Sequence, residues 1–382
     1  MRKPLLTVFL AVLLVPAMAE RFYIHARNPV IEAFVPPVHK FPHAFSAELS
    51  PGQLKILERF GIETEPVGLF EITKPYCNNN GECEPELGEN PSCADCKNSG
   101  RESPACYPDN QLPWGIARVN GGSGGAGVVV AVLDTGVDRD HPDLKNNILH
   151  CTSKVTHFRP DMRNCEDGHG HGTHVSGTVL ANGNIIGVAP EASLMAIKVC
   201  DRRGHCYGDD MAAGIYYATD NGANIISMSI GGNTPDSQVL AAIDYAVDNG
   251  VLVVAAAGND GPDEGSIDYP GAYAKVVAVG ATDQNDNVPS WSSRGTDDGD
   301  DVIDEREIEF GAPGVSIEST YNDGCYAYMS GTSMATPHIS GLAAKLWQGT
   351  AASTRDYLRS IAEDIWTTGY DTATGFGLPT AQ

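Results

Sequence analysis

Asp134, His171 and Ser333 lie far apart in the chain, yet they are the three side-chain types that an alcohol nucleophile requires. A serine hydroxyl is a weak nucleophile until a base takes its proton, and an imidazole does so best when a carboxylate orients it. Ser333 sits in Gly331-Thr-Ser-Met-Ala-Thr-Pro-His338, ahead of the helical stretch ISGLAAKLW. There its own N–H and the positive end of a helix dipole are available to an oxyanion; a plain serine N-cap would look the same. His171 and His174 belong to GHGHGTHVSGT, where glycine and small residues let a helix begin in close packing. Two histidines three residues apart can instead hold a metal, but the glutamate that zinc hydrolases place in HExxH is not there. Asp134 follows the apolar run VVVAVL and precedes Thr135-Gly136. A carboxylate at a strand end, on a tight glycine turn, is held rigidly enough to orient an imidazole, although an ordinary turn aspartate has the same setting. Each residue alone has a bland structural reading. Their joint occurrence points to covalent acyl transfer.

Such residues need elements that bring strand ends and helix starts together. From 111 to 382 the apolar runs 128–133, 194–199, 225–230, 251–257 and 276–280 alternate with helical patterns over 172–181, 211–221 and 237–249. Strands without polar alternation are buried on both faces, so the expected fold is α/β: a doubly wound, mostly parallel sheet with helices on both faces. Ligands of open sheets gather at the carboxyl ends of the strands, and Asp134 falls at one.

The rest of the 382 residues reads as appendages to this domain. Residues 1–19 carry Arg2 and Lys3, an apolar run from Leu5 to Val15 and Ala17-Met-Ala19, the layout of a cleaved signal peptide. The run is short for a transmembrane helix, which needs about 20 apolar residues, so a secreted protein free of the membrane after cleavage is expected. Residues 20–73 read as a small α+β domain, with a strand at Arg21-Phe-Tyr-Ile-His and a helix opened by Ser50-Pro-Gly-Gln53 before Leu54, Leu57 and Phe60. Strand-like residues resume in GIETEPVGLFEI. Residues 74–110 turn to Asn, Gly, Glu, Pro and Cys, a composition of a disulfide-stapled linker. Their one CxxC pair could hold zinc, but such sites usually add a second pair or histidines.

Lys and Arg number 25 against 49 Asp and Glu, a net charge of −24. That argues against the basic face that nucleic acid or an anionic membrane would require. Ten cysteines in an exported chain read as disulfide partners. Cys151 with Cys165 and Cys200 with Cys206 are local groupings. Cys77, Cys83, Cys93, Cys96 and Cys106 crowd one segment, and Cys325 makes that set even, hinting at a tether between the two parts.

VAVLDTGVDRDHPDL, GHGTHVSGT and SGTSMATPH resemble, in chain order, the three active-site blocks of the subtilases, the peptidase S8 family. The resemblance covers essentially all of 111–382. It implies a secreted serine endopeptidase in which Asp134 orients, His171 acts as base and then acid, and Ser333 attacks, while His169 and His174 pack. AAAGND resembles the oxyanion block and gives Asn259 that role. The stretch Ser229-Ile230-Gly231 would line one wall of the first specificity pocket, Ala256 and Gly258 the other. Gly204 and His205 would form the edge that pairs with extended substrate. Asp268 stands where many members have a small residue at the pocket base; a carboxylate there would favour Arg or Lys before the scissile bond, unless it faces solvent or a cation. The family implies structural Ca2+. Asp143 matches a ligand of its tight site, but the partner loop 180–186 is shorter than the calcium-binding form. The insertion TDDGDDVIDERE packs Asp297, Asp298, Asp300, Asp301 and Asp304 into one loop suited to a hard cation, or to plain solvation. The segment with AFSAELSPGQL looks like the inhibitory propeptide of a zymogen, giving a monomeric enzyme with polypeptide substrates and its own propeptide as inhibitor. Leu112-Pro-Trp-Gly-Ile116 and the Cys151/Cys165 bracket resemble subtilisins of hyperthermophilic archaea, which implies thermostability. The rival readings are a non-enzymatic extracellular binding protein on the same scaffold, with the Cys-rich segment as its working part, and an esterase or lipase.

Overall fold

A computed structural model describes residues 20–26, 28–72, 106–156, 165–300 and 302–382. The expected signal peptide, the cysteines at 77, 83, 93 and 96 with their CxxC pair, and Asp301 lie outside the described residues. The chain forms two compact units, Met1–Gly68 and Leu69–Gln382.

In the smaller unit, β1 (Glu20–Ile24) lies between β2 (Phe45–Leu49) and β3 (Thr64–Pro66) in an antiparallel sheet, with helices α1 (Pro29–Phe34) and α2 (Pro51–Arg59). The α2 start expected from Ser50-Pro-Gly-Gln53 is a full capping box: Ser50 Oγ accepts from the Gln53 N–H, and Gln53 Oε1 accepts from the Ser50 N–H. Leu57 is buried and Leu54 packs beside it on the core of Phe22, Ile24, Phe45 and Leu49. Phe60 departs from the expected stripe. It is the C-cap, past the last helical turn, and is exposed.

The larger unit opens with β4 (Leu69–Ile72) and α3 (Trp114–Arg118), followed by β5 (Val129–Asp134), β6 (Ile148–Ser153), α4 (His171–Leu180) and β7 (Ser193–Lys198). Next come β8 (His205–Tyr207), α5 (Gly208–Asp220), β9 (Ile225–Met228), β10 (Ile230–Gly231), α6 (Ser237–Asp248), β11 (Leu252–Ala256) and β12 (Val277–Thr282). The chain ends with β13 (Phe310–Pro313), β14 (Ile317–Tyr321), β15 (Cys325–Met329), α7 (Thr332–Lys345), α8 (Ala351–Ser360), β16 (Ala362–Glu363) and β17 (Leu378–Pro379). Seven strands form one parallel sheet in the order β13-β12-β11-β9-β5-β7-β6. β5, β9 and β11, the apolar runs, are its centre and are almost wholly buried. β6 gave no apolar signal because it is an edge strand, half-buried along its length.

α4 and α7 are buried throughout nearly their whole length and pack on each other. Each holds a buried histidine. His174 Nε2–H donates to the carbonyls of Ile317 and Ala327 at 3.0 and 3.1 Å, and His338 Nδ1–H donates to the Met334 carbonyl at 2.8 Å. Burial pushes His174 down to about 3 and His338 down to about 4, so both are neutral in the folded protein. An unfolded histidine protonates near pH 6.5. The unfolded chain therefore takes up protons first, and stability that is complete above about pH 6.5 drains away as pH falls towards 4, by at most ~1.4 kcal/mol per pH unit per histidine. In a Ser333→Ala background that prevents self-digestion, His338→Leu is expected to flatten the pH dependence of unfolding free energy between about pH 6 and 4.5 by close to one proton, read from denaturant titrations. An unchanged slope would show that His338 is already charged in the fold.

Candidate active site

Asp134 is the last residue of β5 and is completely buried. Its Oδ1 accepts from His171 Nδ1–H at 2.8 Å and from the Thr135 N–H at 2.7 Å. His171 is the first residue of α4, and its Nε2 is buried with no partner among the described residues. The helix start presses against the turn after β5: a Cβ on Gly172 would meet the Gly136 carbonyl oxygen at 2.1 Å, so only glycine lets the two segments come this close. Asp167 fastens the approach. It accepts from the N–H groups of His169, Gly170 and Thr173 and from the hydroxyls of Thr173 and Thr135. Burial alone would raise its pKa, but these donors hold the carboxyl below the usual range. Lys198 of β7 donates to the Thr135 carbonyl, and burial lowers its pKa against the pull of Asp167 and Asp134.

Ser333 is the second residue of α7. Pro337, four residues on, has no N–H to give the Ser333 carbonyl, which would be left unpaired inside the protein. The hydroxyl of Ser229, just after β9, donates to that carbonyl at 2.7 Å, and the Ser333 hydroxyl donates to the Ser229 carbonyl at 3.2 Å. Asn259 follows β11. Its Oδ1 accepts from the Thr332 N–H and hydroxyl, both at 3.0 Å, which turns its NH2 the other way. A Cβ on Gly331 would meet Asn259 Nδ2 at 3.2 Å and the Ser333 nitrogen at 3.7 Å. Two donors thus flank a space that glycine keeps open, the arrangement an oxyanion needs.

Beside these residues β4 lies antiparallel between β8 and β10. Glu71 faces His205 on one side and Gly231 on the other, and Ile72 faces Ile230 while its N–H donates to the Gly204 carbonyl at 3.0 Å. The Cys200–Cys206 disulfide closes the loop behind β8. Asp268 is 7% exposed, and its Oδ2 lies 2.5 and 2.6 Å from Cβ positions built on Gly231 and Gly258. Its carboxylate therefore fills the space between those two glycines. Ala256 ends β11, leading into Gly258.

The subtilase family profile matches residues 125–377. The chain belongs to the subtilase family. Subtilisin of Bacillus sp. (strain TA39) is 44% identical over 311 residues, covering 73% of this chain and 74% of that one. Subtilisin Savinase of Lederbergia lenta is 43% identical over 270 residues, 67% of this chain and 93% of that one. Among solved structures, the S41 psychrophilic protease superposes with a TM-score of 0.68 at 44% identity, over 72% of this chain and all of that one. Sphericase does so with the same TM-score at 43% identity. This subtilase is a subtilisin-like serine endopeptidase, and the readings as a non-catalytic binding protein or an esterase fall away. These relatives are bacterial, so the finer resemblance to hyperthermophilic archaea, and the thermostability it implied, has no support in them.

The acidic residues divide. In this subtilase the Asp143 carboxylate is buried and accepts from the N–H groups of Asn184 and Ile185, at 2.9 and 3.1 Å, and from the Tyr326 hydroxyl at 2.7 Å. The short loop delivers donors to it, where a calcium ligand would face a cation. In the insertion, Asp297 and Asp298 converge with Glu307 within 4.8 Å, whereas the Asp300 and Asp304 carboxylates stand outside this group. Burial, with Asp298 and Asp304 nearby, raises the Glu307 carboxyl above its usual range. Cys151–Cys165 and Cys106–Cys325 are both disulfides. Asp167, Pro337 and Glu307 were not singled out in the sequence, because each acts by what it pairs with or leaves unpaired in three dimensions.

Proposed function

We propose that this subtilase is exported as a proenzyme, cuts polypeptides as a monomer through Asp134, His171 and Ser333, and carries residues 20–73 as an inhibitory propeptide. The observation that carries the triad is the buried Asp134–His171 pair at 2.8 Å with Nε2 left unused. In the reaction the Ser333 hydroxyl turns from the Ser229 carbonyl to His171 Nε2, loses its proton there and attacks the substrate carbonyl. Asn259 and the Ser333 N–H take the oxyanion, His171 returns the proton to the leaving amine, and water resolves the acyl-enzyme by the same route. Disulfides at Cys106, Cys151 and Cys200 support an oxidising destination, and among the described residues no helix is long and apolar enough to cross a membrane. β4 between β8 and β10 supports both peptide binding by strand addition and a self-blocked cleft. Ser333→Ala is expected to abolish casein hydrolysis. Asn259→Ala should lower kcat about 10²–10³-fold with little change in KM, a size known from subtilisin itself; a wild-type rate in either variant would remove that residue from the mechanism.

Asp268 is proposed to set a preference for Lys or Arg before the scissile bond, since a buried carboxylate between glycine walls gains most from a cationic partner. A peptide-library profile should show that preference and lose it in Asp268→Ser. Cleavage only after large apolar residues would reject the idea.

For structural Ca2+, the group Asp297, Asp298 and Glu307 fits a hard cation, which would offset the burial and the neighbouring carboxylates that raise Glu307. Chelation should lower the Tm of Ser333→Ala protein, and Asp298→Asn should shrink that drop. Equal melting with and without chelator would leave the loop as solvated acid.

A further inference from the structure

Lys198 is a buried cation that the proposed reaction leaves unused, and a role inferred for it deepens and rests on the triad reading. β5 and β7 pair in parallel with Asp134 directly opposite Lys198. Paired positions of neighbouring strands project on the same face, about 5 Å apart. The end of β7 also grips Asp134 through the backbone: the Val199 and Cys200 N–H groups donate to the Asp134 carbonyl, at 2.9 and 3.1 Å. The Lys198 residue is 1% exposed, and its Nζ donates to the Thr135 carbonyl in the turn after β5. Lysine is almost never buried this deeply unless a partner needs its charge. Two buried carboxylates, Asp167 and Asp134, lie within its field. Asp167 is well supplied by hydrogen bonds: the N–H groups of His169, Gly170 and Thr173 and the hydroxyls of Thr173 and Thr135 all donate to it. Asp134 receives His171 Nδ1–H and the Thr135 N–H, both on Oδ1, and among the described residues nothing donates to Oδ2. A buried carboxylate with so few donors depends on opposite charge. The titratable groups that act on the Asp134–His171 pair or on Lys198 are Asp167, Asp201 and Glu166, which are acidic, and His169 and His174. Burial, and then His171, push both of these histidines down, His174 to about 3. Lys198 is therefore the cation of the group at neutral pH.

We propose that Lys198 is a positioning residue for the triad: its charge offsets that of Asp134, and its bond to the Thr135 carbonyl holds the turn that aims the carboxylate at His171. It acts through Asp134 and not on the substrate. A positive charge beside the Asp134–His171 pair opposes uptake of a proton by the pair, whichever member takes it. The base therefore stays free to accept the Ser333 proton down to lower pH. Without that charge the pair takes its proton sooner on acidification, and the active form is lost at higher pH.

The test follows kcat and KM on a soluble chromogenic peptide from acid to alkaline pH, for wild type and three Lys198 variants, each produced as the full chain. Lys198→Met should move the acid limb of kcat/KM up by about one pH unit. Its kcat should fall roughly 10–10²-fold as the turn loses its tie, with KM nearly unchanged. Lys198→Gln, which keeps a donor for the Thr135 carbonyl without the charge, should move the limb as far, and Lys198→Arg should return it to the wild-type position. A limb that stays in place in both uncharged variants while the Tm drops would make Lys198 a structural staple and overturn the proposal, as would a limb displaced equally in Lys198→Arg. Should the uncharged variants not fold, Ser333→Ala protein labelled with carbon-13 at lysine Cε puts the same question to an unaltered β7. The assigned Lys198 signal should report a charged amine at neutral pH and shift as His171 titrates; a neutral Lys198, or one blind to that titration, overturns the proposal. His171→Ala retaining the wild-type kcat would overturn the triad reading and the part of Lys198 in it, whereas an unmoved limb overturns Lys198 alone.

Discussion

A carboxylate sealed from water at the end of a β-strand sets the terms for everything around it. Asp134 holds the His171 imidazole at 2.8 Å, and a buried carboxylate is tolerated only where hydrogen bonds and opposite charge replace its water. The surroundings meet that demand at Oδ1, which takes both hydrogen bonds, and among the described residues nothing donates to Oδ2. Thr135 gives its N–H to Asp134, its hydroxyl to Asp167 and its carbonyl to Lys198. Asp167 in turn gathers the N–H groups that lead into α4. The strand end and the helix start are thereby one hydrogen-bonded body, and His171 has little freedom to leave its carboxylate.

Ser333 is fixed by a different device. Proline inside a helix normally costs about 3 kcal/mol or more by removing a hydrogen bond and crowding the preceding turn. Here the orphaned carbonyl is that of Ser333, and the Ser229 hydroxyl takes the place of the proline N–H. The reciprocal bond from Ser333 to the Ser229 carbonyl keeps its hydroxyl beside the start of β10. α7 is thus tied to the end of β9, through the residue that leads directly into β10. A disturbance of β10 would be felt at Ser333 through Ser229.

How much of this could be read in the sequence depended on whether a feature is local. Central strands announce themselves as unbroken apolar runs because both faces are buried, and α2 announces itself because a capping box is written within four residues. Asp134, His171 and Ser333 were legible only together, since a turn aspartate, a helix-start histidine and an N-cap serine are each ordinary. Features that depend on distant partners left no trace. β6 pairs at an edge and shows no periodicity, and Glu307 joins Asp297 and Asp298 only through the path of the loop. Asp143 misled for the converse reason: its motif suggests a cation ligand, while the shortened loop 180–186 brings N–H donors to the same oxygens.

Recognition divides along the same line between backbone and side chain. The edges β8 and β10 offer main-chain groups, which hold any extended peptide and so say little about its sequence. Discrimination is left to the places where a side chain of the enzyme meets one of the substrate. Between Gly231 and Gly258, which carry no side chains, lies the carboxylate of Asp268. On the proposed preference, a lysine or arginine would bring this buried carboxylate a counter-ion that an apolar residue cannot.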